Sequence, residues 1–156
     1  MIGITVNRKH FSMSTDNSFR HKTPIEIRFV DIDAFGHVNN ANFLTYFEQA
    51  RINYFDAVVN WDYDLSKRGV IVARTEINYI LPVRFGDKIV IYTSCSRLGN
   101  KSFDLQYRAF CINDDKEELV ADGMTVMVAY NYAEGKAIEI PPDWKKAMER
   151  FESSIK

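Results

Sequence analysis

This chain has little of what staples, ligates or spans. Of its 156 residues only two are cysteines, Cys95 and Cys111, and both sit in alternating apolar runs rather than at metal-ligand spacing. They read as reduced core thiols of a cytoplasmic protein rather than as a disulfide. No apolar run approaches the ~20 residues that cross a bilayer. The N-terminus carries no continuous apolar stretch of the kind a secretory signal needs. With a formal net charge of −1, the chain has no basic excess to set against a nucleic-acid backbone. A phosphate-cradling glycine loop is also missing, as are internal repeats and low-complexity segments. The length suits one domain with its own core.

What is present concentrates between Arg28 and Phe55, RFVDIDAFGHVNNANFLTYFEQARINYF. Ile25, Ile27 and Phe29 alternate with Glu26 and Arg28, the period of a half-buried strand. A polar stretch from Asp31 to Asn40 follows, with two aspartates, a glycine, a histidine and two asparagines. A long helix then begins. A carboxylate just ahead of a helix start lies near unsatisfied backbone N–H groups and the positive end of the macrodipole. Such N–H groups can hold a carbonyl oxygen while the carboxylate attacks the carbon or activates water, which is what an acyl-transfer hydrolase needs. Placed at about 100° per residue, Asn42, Thr45, Gln49, Asn53, Asp56 and Asn60 fall in one narrow polar arc. The helix is therefore expected to be buried on most sides. Glu48 and Arg51 lie inside the apolar arc, three residues apart, and read as a partnered structural charge. The competing reading makes Glu48 a second active-site carboxylate.

Residues 1–22 show no sustained period and read as an extension outside the fold, within which Met13 begins a plausible shorter protein. Trp61 to Gly69 reads as a loop. Strands are expected at Val70 to Tyr79, Lys88 to Leu98, Ser102 to Ile112 and Leu119 to Tyr130, with Gly99-Asn100 as a hairpin turn. Ile138 and Ile140 suit a short further pairing. Pro141, Pro142 and Asp143 signal a helix start, and Trp144, Ala147, Met148 and Phe151 give residues 141–156 an amphipathic helical tail. One strand, one apolar helix and four hairpin-joined strands make an α+β domain, an antiparallel sheet wrapped around a central helix.

The run Asp31-Ile-Asp33-Ala-Phe-Gly36-His37-Val-Asn39-Asn40, followed by FLTYFEQAR, resembles the 4-hydroxybenzoyl-CoA thioesterase-like hotdog-fold acyl-CoA thioesterases. The later run LPVRFGDKIVIYTSCSRLGNKSFDLQYRAF resembles their second and third strands, and the likeness covers residues 23–140. It implies a hotdog fold, a homodimer or homotetramer, active sites between subunits, and an acyl-CoA or acyl-carrier-protein thioester as substrate. It further implies that Asp33 is the catalytic carboxylate, as nucleophile or general base, and that the backbone N–H of Asn40 polarises the thioester carbonyl. Plant acyl-carrier-protein thioesterases carry a related D-x-N-x-H pattern. Asp33 and His37 fit it, but Phe35 stands where their asparagine would be, which moves the chain toward the acyl-CoA type.

Each of these residues also has a plainer reading. Asp33 suits a turn or helix cap, Asp31 suits a loop-organising ion pair, and His37 suits a structural hydrogen bond with a lesser role on water or substrate. Gly36 permits an unusual backbone angle or a close substrate approach. Two aspartates without further ligands make a weak metal site, so no metal and no cofactor beyond the CoA of the substrate is expected. Arg97, Lys101 and Ser102 around the Gly99-Asn100 turn are candidate CoA-phosphate partners, with Arg74 and Arg84 behind them; singly, each reads as a solvated polar group. A non-catalytic acyl-binding hotdog protein is the alternative of another class. A hotdog dehydratase is a third, for which His10 and His21 are expected outside the fold.

Overall fold

The computed structural model describes residues 19–64, 67–113 and 116–153. Five strands form one antiparallel sheet in the order β1-β3-β4-β5-β2. These are β1 (His21–Ile25), β2 (Gly69–Tyr79), β3 (Ile89–Leu98), β4 (Ser102–Asn113) and β5 (Lys116–Asn131). A two-residue β6 (Lys136–Ala137) pairs with the end of β5. The main helix α1 (Asn42–Tyr54) continues into a wider π turn, Phe55–Val59, which ends at Asn60 in the left-handed conformation, φ 52°. A tail helix α2 (Pro142–Phe151) follows β6.

The sheet curls around α1 because the two present complementary apolar faces. On β4, Phe103, Leu105, Tyr107, Ala109 and Cys111 are all buried, the alternation that a strand with one core face requires. From α1, Phe43, Tyr46, Phe47, Ala50 and Tyr54 are buried. Phe47 stacks on Tyr107, centroids 4.6 Å apart and planes 11° from parallel. It gets that close because the residue paired with Tyr107 on β5 is Gly123. A Cβ there would lie 2.5 Å from the Glu76 carbonyl oxygen and 2.6 Å from a Phe47 ring carbon.

The tail is integral to the core. Trp144 and Met148 of α2 are buried, with Trp144 meeting Phe55 and Trp61 edge to face. Beyond α2, the buried Glu152 carboxylate accepts hydrogen bonds from the Tyr54 hydroxyl (3.0 Å) and the Cys95 N–H (2.9 Å). Burial raises its carboxyl above the ordinary carboxylate range, and these two donors oppose the shift.

Three expectations need correction. The first strand lies upstream of the Ile25–Phe29 alternation: His21 to Ile25 pair with β3, so His21 and Lys22 belong to the fold. His21 packs edge-on against Tyr54. Phe29 instead enters a 3-10 turn, Phe29–Asp31, and is 80% exposed. The remaining extension, including Met13, lies outside the described residues. The solvent face of α1 is also wider than the polar arc, since Leu44, Glu48 and Ile52 are exposed with Thr45 and Gln49. Glu48 is therefore not buried. It stands 3.5 Å from Arg51 with its side chain 59% exposed. Among the described residues no helix is long and apolar enough to cross a membrane.

Candidate active site

The segment between β1 and α1 is built around one buried charge. Asp31 is 1% exposed, and its carboxylate accepts from the Arg28 N–H (2.9 Å), Arg28 Nη2 (2.7 Å), Arg28 Nε (3.3 Å) and the Tyr46 hydroxyl (2.8 Å). Arg28 holds the Asp31 carboxyl below its usual range. Burial, then the Asp31 carboxylate, raises the Tyr46 phenol. The Asp31 carbonyl in turn accepts the Asn39 N–H and Asn42 Nδ2, both at 2.9 Å. One residue thus ties the strand exit to the helix entry, the organising role read for it in the sequence.

Asp33 begins a tight loop closed by Asp33 N–H to His37 O (2.8 Å) and Gly36 N–H to Asp33 O (3.0 Å), between the paired Ile32 and Val38. Gly36 takes φ +78° there, with nothing within 4 Å of where its Cβ would be. The glycine is needed for its backbone angle, not for space. One carboxylate oxygen of Asp33, Oδ1, accepts the Phe35 N–H (2.8 Å) and, more weakly, the His37 N–H (3.4 Å). Its Oδ2 has no protein partner among the described residues.

Asn39 forms a turn ahead of the helix, its Oδ1 accepting the Ala41 N–H at 2.9 Å. The Asn39 carbonyl accepts the Asn42 N–H, also at 2.9 Å. In this run the N–H groups of Asn39, Ala41 and Asn42 are all taken, while that of Asn40 has no acceptor among the described residues. The Asn40 carbonyl accepts the Tyr79 hydroxyl at 2.9 Å.

Asp33, His37 and Asn40 line one cleft of about 440 Å³. Its other walls are Phe35, Val38 and Phe43 from the loop and helix, and the segment Tyr79 to Val83 that leaves β2. A carboxylate with a free oxygen, an unpartnered backbone donor and an apolar wall suit an acyl group presented as an ester or thioester. The His37 imidazole lines the cleft without a hydrogen bond to any described residue.

Other expected residues stand elsewhere. Glu48 lines a separate, smaller groove of about 210 Å³ between α1 and β2, with Arg51, Leu44, Thr45 and Val72. Arg97 is engaged by Asp104, at 2.7 Å to each carboxylate oxygen, and by Ser102 Oγ at 3.3 Å. Ser102 pairs with Val128 on β5, whereas Tyr79 beside the cleft pairs with Ala121. Seven residues of strand separate them, roughly 23 Å. Arg97, Lys101 and Ser102 therefore do not line the cleft of their own chain. Tyr46, Tyr79 and the Ile80–Val83 wall escaped sequence reasoning. The signal available was Pro82, three residues past the end of β2 and next to Val83, whose carbonyl accepts the Val38 N–H of the loop at 2.8 Å. Among the described residues, no group of three or more His, Cys, Asp or Glu side chains is placed to hold a metal.

Comparison with known proteins identifies the family and the fold. A model of the thioesterase-like superfamily matches residues 27–148. The uncharacterized protein YsmA of Bacillus subtilis is 30% identical over 132 residues, covering 84% of this chain and 86% of its own. The long-chain acyl-CoA thioesterase FadM of Escherichia coli is 26% identical over 134 residues, covering 83% of this chain and 98% of its own. A thioesterase from Thermus thermophilus, solved with coenzyme A and Zn, superposes with a TM-score of 0.75 at 29% identity, covering 87% of this chain and 97% of that one. The chain belongs to the thioesterase-like superfamily and is a thioester hydrolase on the hotdog fold, an antiparallel sheet wrapped around α1.

Proposed function

We propose that this protein hydrolyses an acyl-CoA to free acid and CoA. The observation that carries the reading is the convergence of Asp33 and Asn40 on one apolar-walled cleft. The thioester carbonyl oxygen takes the Asn40 N–H, and the electrophilic carbon faces Asp33. The carboxylate either attacks that carbon to give a mixed anhydride that water then cleaves, or takes a proton from the attacking water. CoA leaves as its thiolate in both routes, so no strong general acid is needed. The Phe35 and His37 N–H groups hold Oδ1 and leave Oδ2 for chemistry. Relatives whose names state a long-chain acyl-CoA thioesterase and a coenzyme A complex support CoA as the carrier. An acyl-carrier-protein thioester is the alternative carrier, and the same cleft would serve it.

The working unit is at least a dimer. Strand β2 is an edge of the sheet, and the exposed Val72 on it lines one groove with the exposed Leu44 of α1. An unpaired edge next to exposed apolar side chains favours cover by another chain. Lys101 and Ser102, remote from the cleft of their own chain, would then serve as CoA-phosphate partners for a neighbouring subunit.

Asp33→Asn tests the reading. The amide oxygen can still accept the Phe35 and His37 N–H groups, so the melting temperature stays near wild type. Thiol release from the best acyl-CoA in a chain-length panel falls ~10²–10⁴-fold, the range lost with a positioned base. Near wild-type kcat/KM in the folded variant would remove Asp33 from the chemistry.

A further inference from the structure

If the Asn40 N–H holds the thioester carbonyl, whatever fixes the Asn40 backbone sets the aim of that donor. Asn40 is exposed and lies outside the helix, so its two flanking peptide planes are not held by a helical ladder. The plane before it contains the N–H in question together with the Asn39 carbonyl, which the Asn42 N–H holds at 2.9 Å. The plane after it carries the Asn40 carbonyl. That oxygen accepts the Phe43 N–H at 3.3 Å and, more closely, the Tyr79 hydroxyl at 2.9 Å.

Tyr79 reaches it from the last residue of β2, on the other wall of the cleft. Its ring is held edge-on against Phe43, centroids 5.5 Å apart at 75°, and Phe43 is itself only 3% exposed. The hydroxyl is therefore an arm from the sheet that grips the residue whose N–H lies free at the helix entry.

We propose that Tyr79 is the positioning residue for the Asn40 N–H, an inference that rests on the acyl-CoA reading above. Tying the Asn40 carbonyl restrains ψ at residue 40 and so keeps the preceding N–H pointed into the cleft. Such restraint matters more as charge builds on the oxygen in the transition state than for binding the ground-state thioester. Tyr79 also joins the two walls, so the donor and the apolar face that receives the acyl group move as one body.

The test is Tyr79→Phe, which keeps the ring contact with Phe43 and removes only the hydroxyl. With the best acyl-CoA of the wild-type panel, kcat falls ~10-fold, short of the ~10²–10³ lost when an oxyanion donor is removed outright. KM, and the Kd of a non-hydrolysable acyl-CoA thioether, stay within about 2-fold of wild type. The melting temperature is expected to hold, because the hydroxyl is exposed to solvent. An unchanged kcat overturns the proposal and leaves the acyl-CoA reading standing. A loss confined to KM overturns it equally, as does a lowered melting temperature with wild-type kcat measured well below it, because a simple staple behaves in that way. A wild-type protein inactive on every acyl-CoA of the panel overturns both.

Discussion

Asp31→Asn separates the two aspartates of the loop by what each one holds. The wild-type carboxylate is closed off from water and receives four donors, from the Arg28 backbone, two Arg28 guanidinium nitrogens and the Tyr46 hydroxyl. An asparagine offers one oxygen to these donors and turns an NH₂ group toward the rest. Hydrogen bonds to a charged group contribute about 1.5–3 kcal/mol each. The Arg28 side chain is 60% exposed, so its guanidinium is rehydrated when released and its share must be discounted. What remains is a backbone N–H or the buried Tyr46 hydroxyl left facing a donor, for a net loss of about 2–4 kcal/mol. For a chain of this size that lowers the melting temperature by roughly 5–15 °C.

Acid adds a second signature to the same variant. Because Arg28 lowers the folded carboxyl below its ordinary 3.8, the stability from Asp31 is complete above that value and is lost as pH falls through the lower, folded one. The gap between wild type and Asp31→Asn should narrow below about pH 3.8 on thermal melts. In the cold, where the variant is folded, thiol release should stay well above that of Asp33→Asn. A melting temperature within about 1 °C of wild type at pH 7, less than the shift from even 1 kcal/mol, would refute this account of the loop.

Two further outcomes follow from exposure. Glu48→Gln should change stability by less than ~0.5 kcal/mol, since the Glu48 side chain is 59% exposed and its 3.5 Å contact with Arg51 is long, and adding Arg51→Met should give no rescue; thermal melts and thiol release together check this, and a kcat lower by orders of magnitude would make Glu48 a second catalytic carboxylate after all. Val72→Asp places a charge beside the exposed edge of β2 and should shift sedimentation toward monomer with loss of activity, whereas a stable, active wild-type monomer at assay concentration would show that the site needs no second chain.

The sequence made the sheet legible because its strands carry their period openly. Phe103 to Cys111 alternate, and the turn at Gly99 closes with its N–H on the Ser102 carbonyl at 2.8 Å. The first strand was harder to place, because the apolar alternation runs past Ile27 to Phe29 while the ladder stops at Ile25. There the Asp31 carboxylate takes the Arg28 N–H and bends the chain, a contact no periodicity records. On α1, the apolar arc included both the core side and the exposed Leu44 and Ile52. A wheel cannot tell the side that meets the sheet from one left open, so Glu48 looked buried. At the site, D-x-D placed two carboxylates near a helix start, and only hydrogen-bond partners separated the fixed one from the half-free one. Tyr79 lies 39 residues from Asn40, beyond the reach of any local pattern.

The close approach of Phe47 to Gly123 also bears on how this sequence can change. A methyl group at 123 would meet the Glu76 carbonyl, which is backbone and cannot step aside, as well as the Phe47 ring. Shrinking Phe47 alone would therefore not open room for it, and would forfeit the stack on Tyr107 besides. The two positions form a ratchet: once an aromatic ring lies flat across the bare backbone, no single substitution at either position leads to an equally packed alternative. Variation in the helix can move freely along its outer face, but the depth at which α1 sits in the sheet, and with it the height of the loop that carries Asp33, is set by a hydrogen atom where every other residue has carbon.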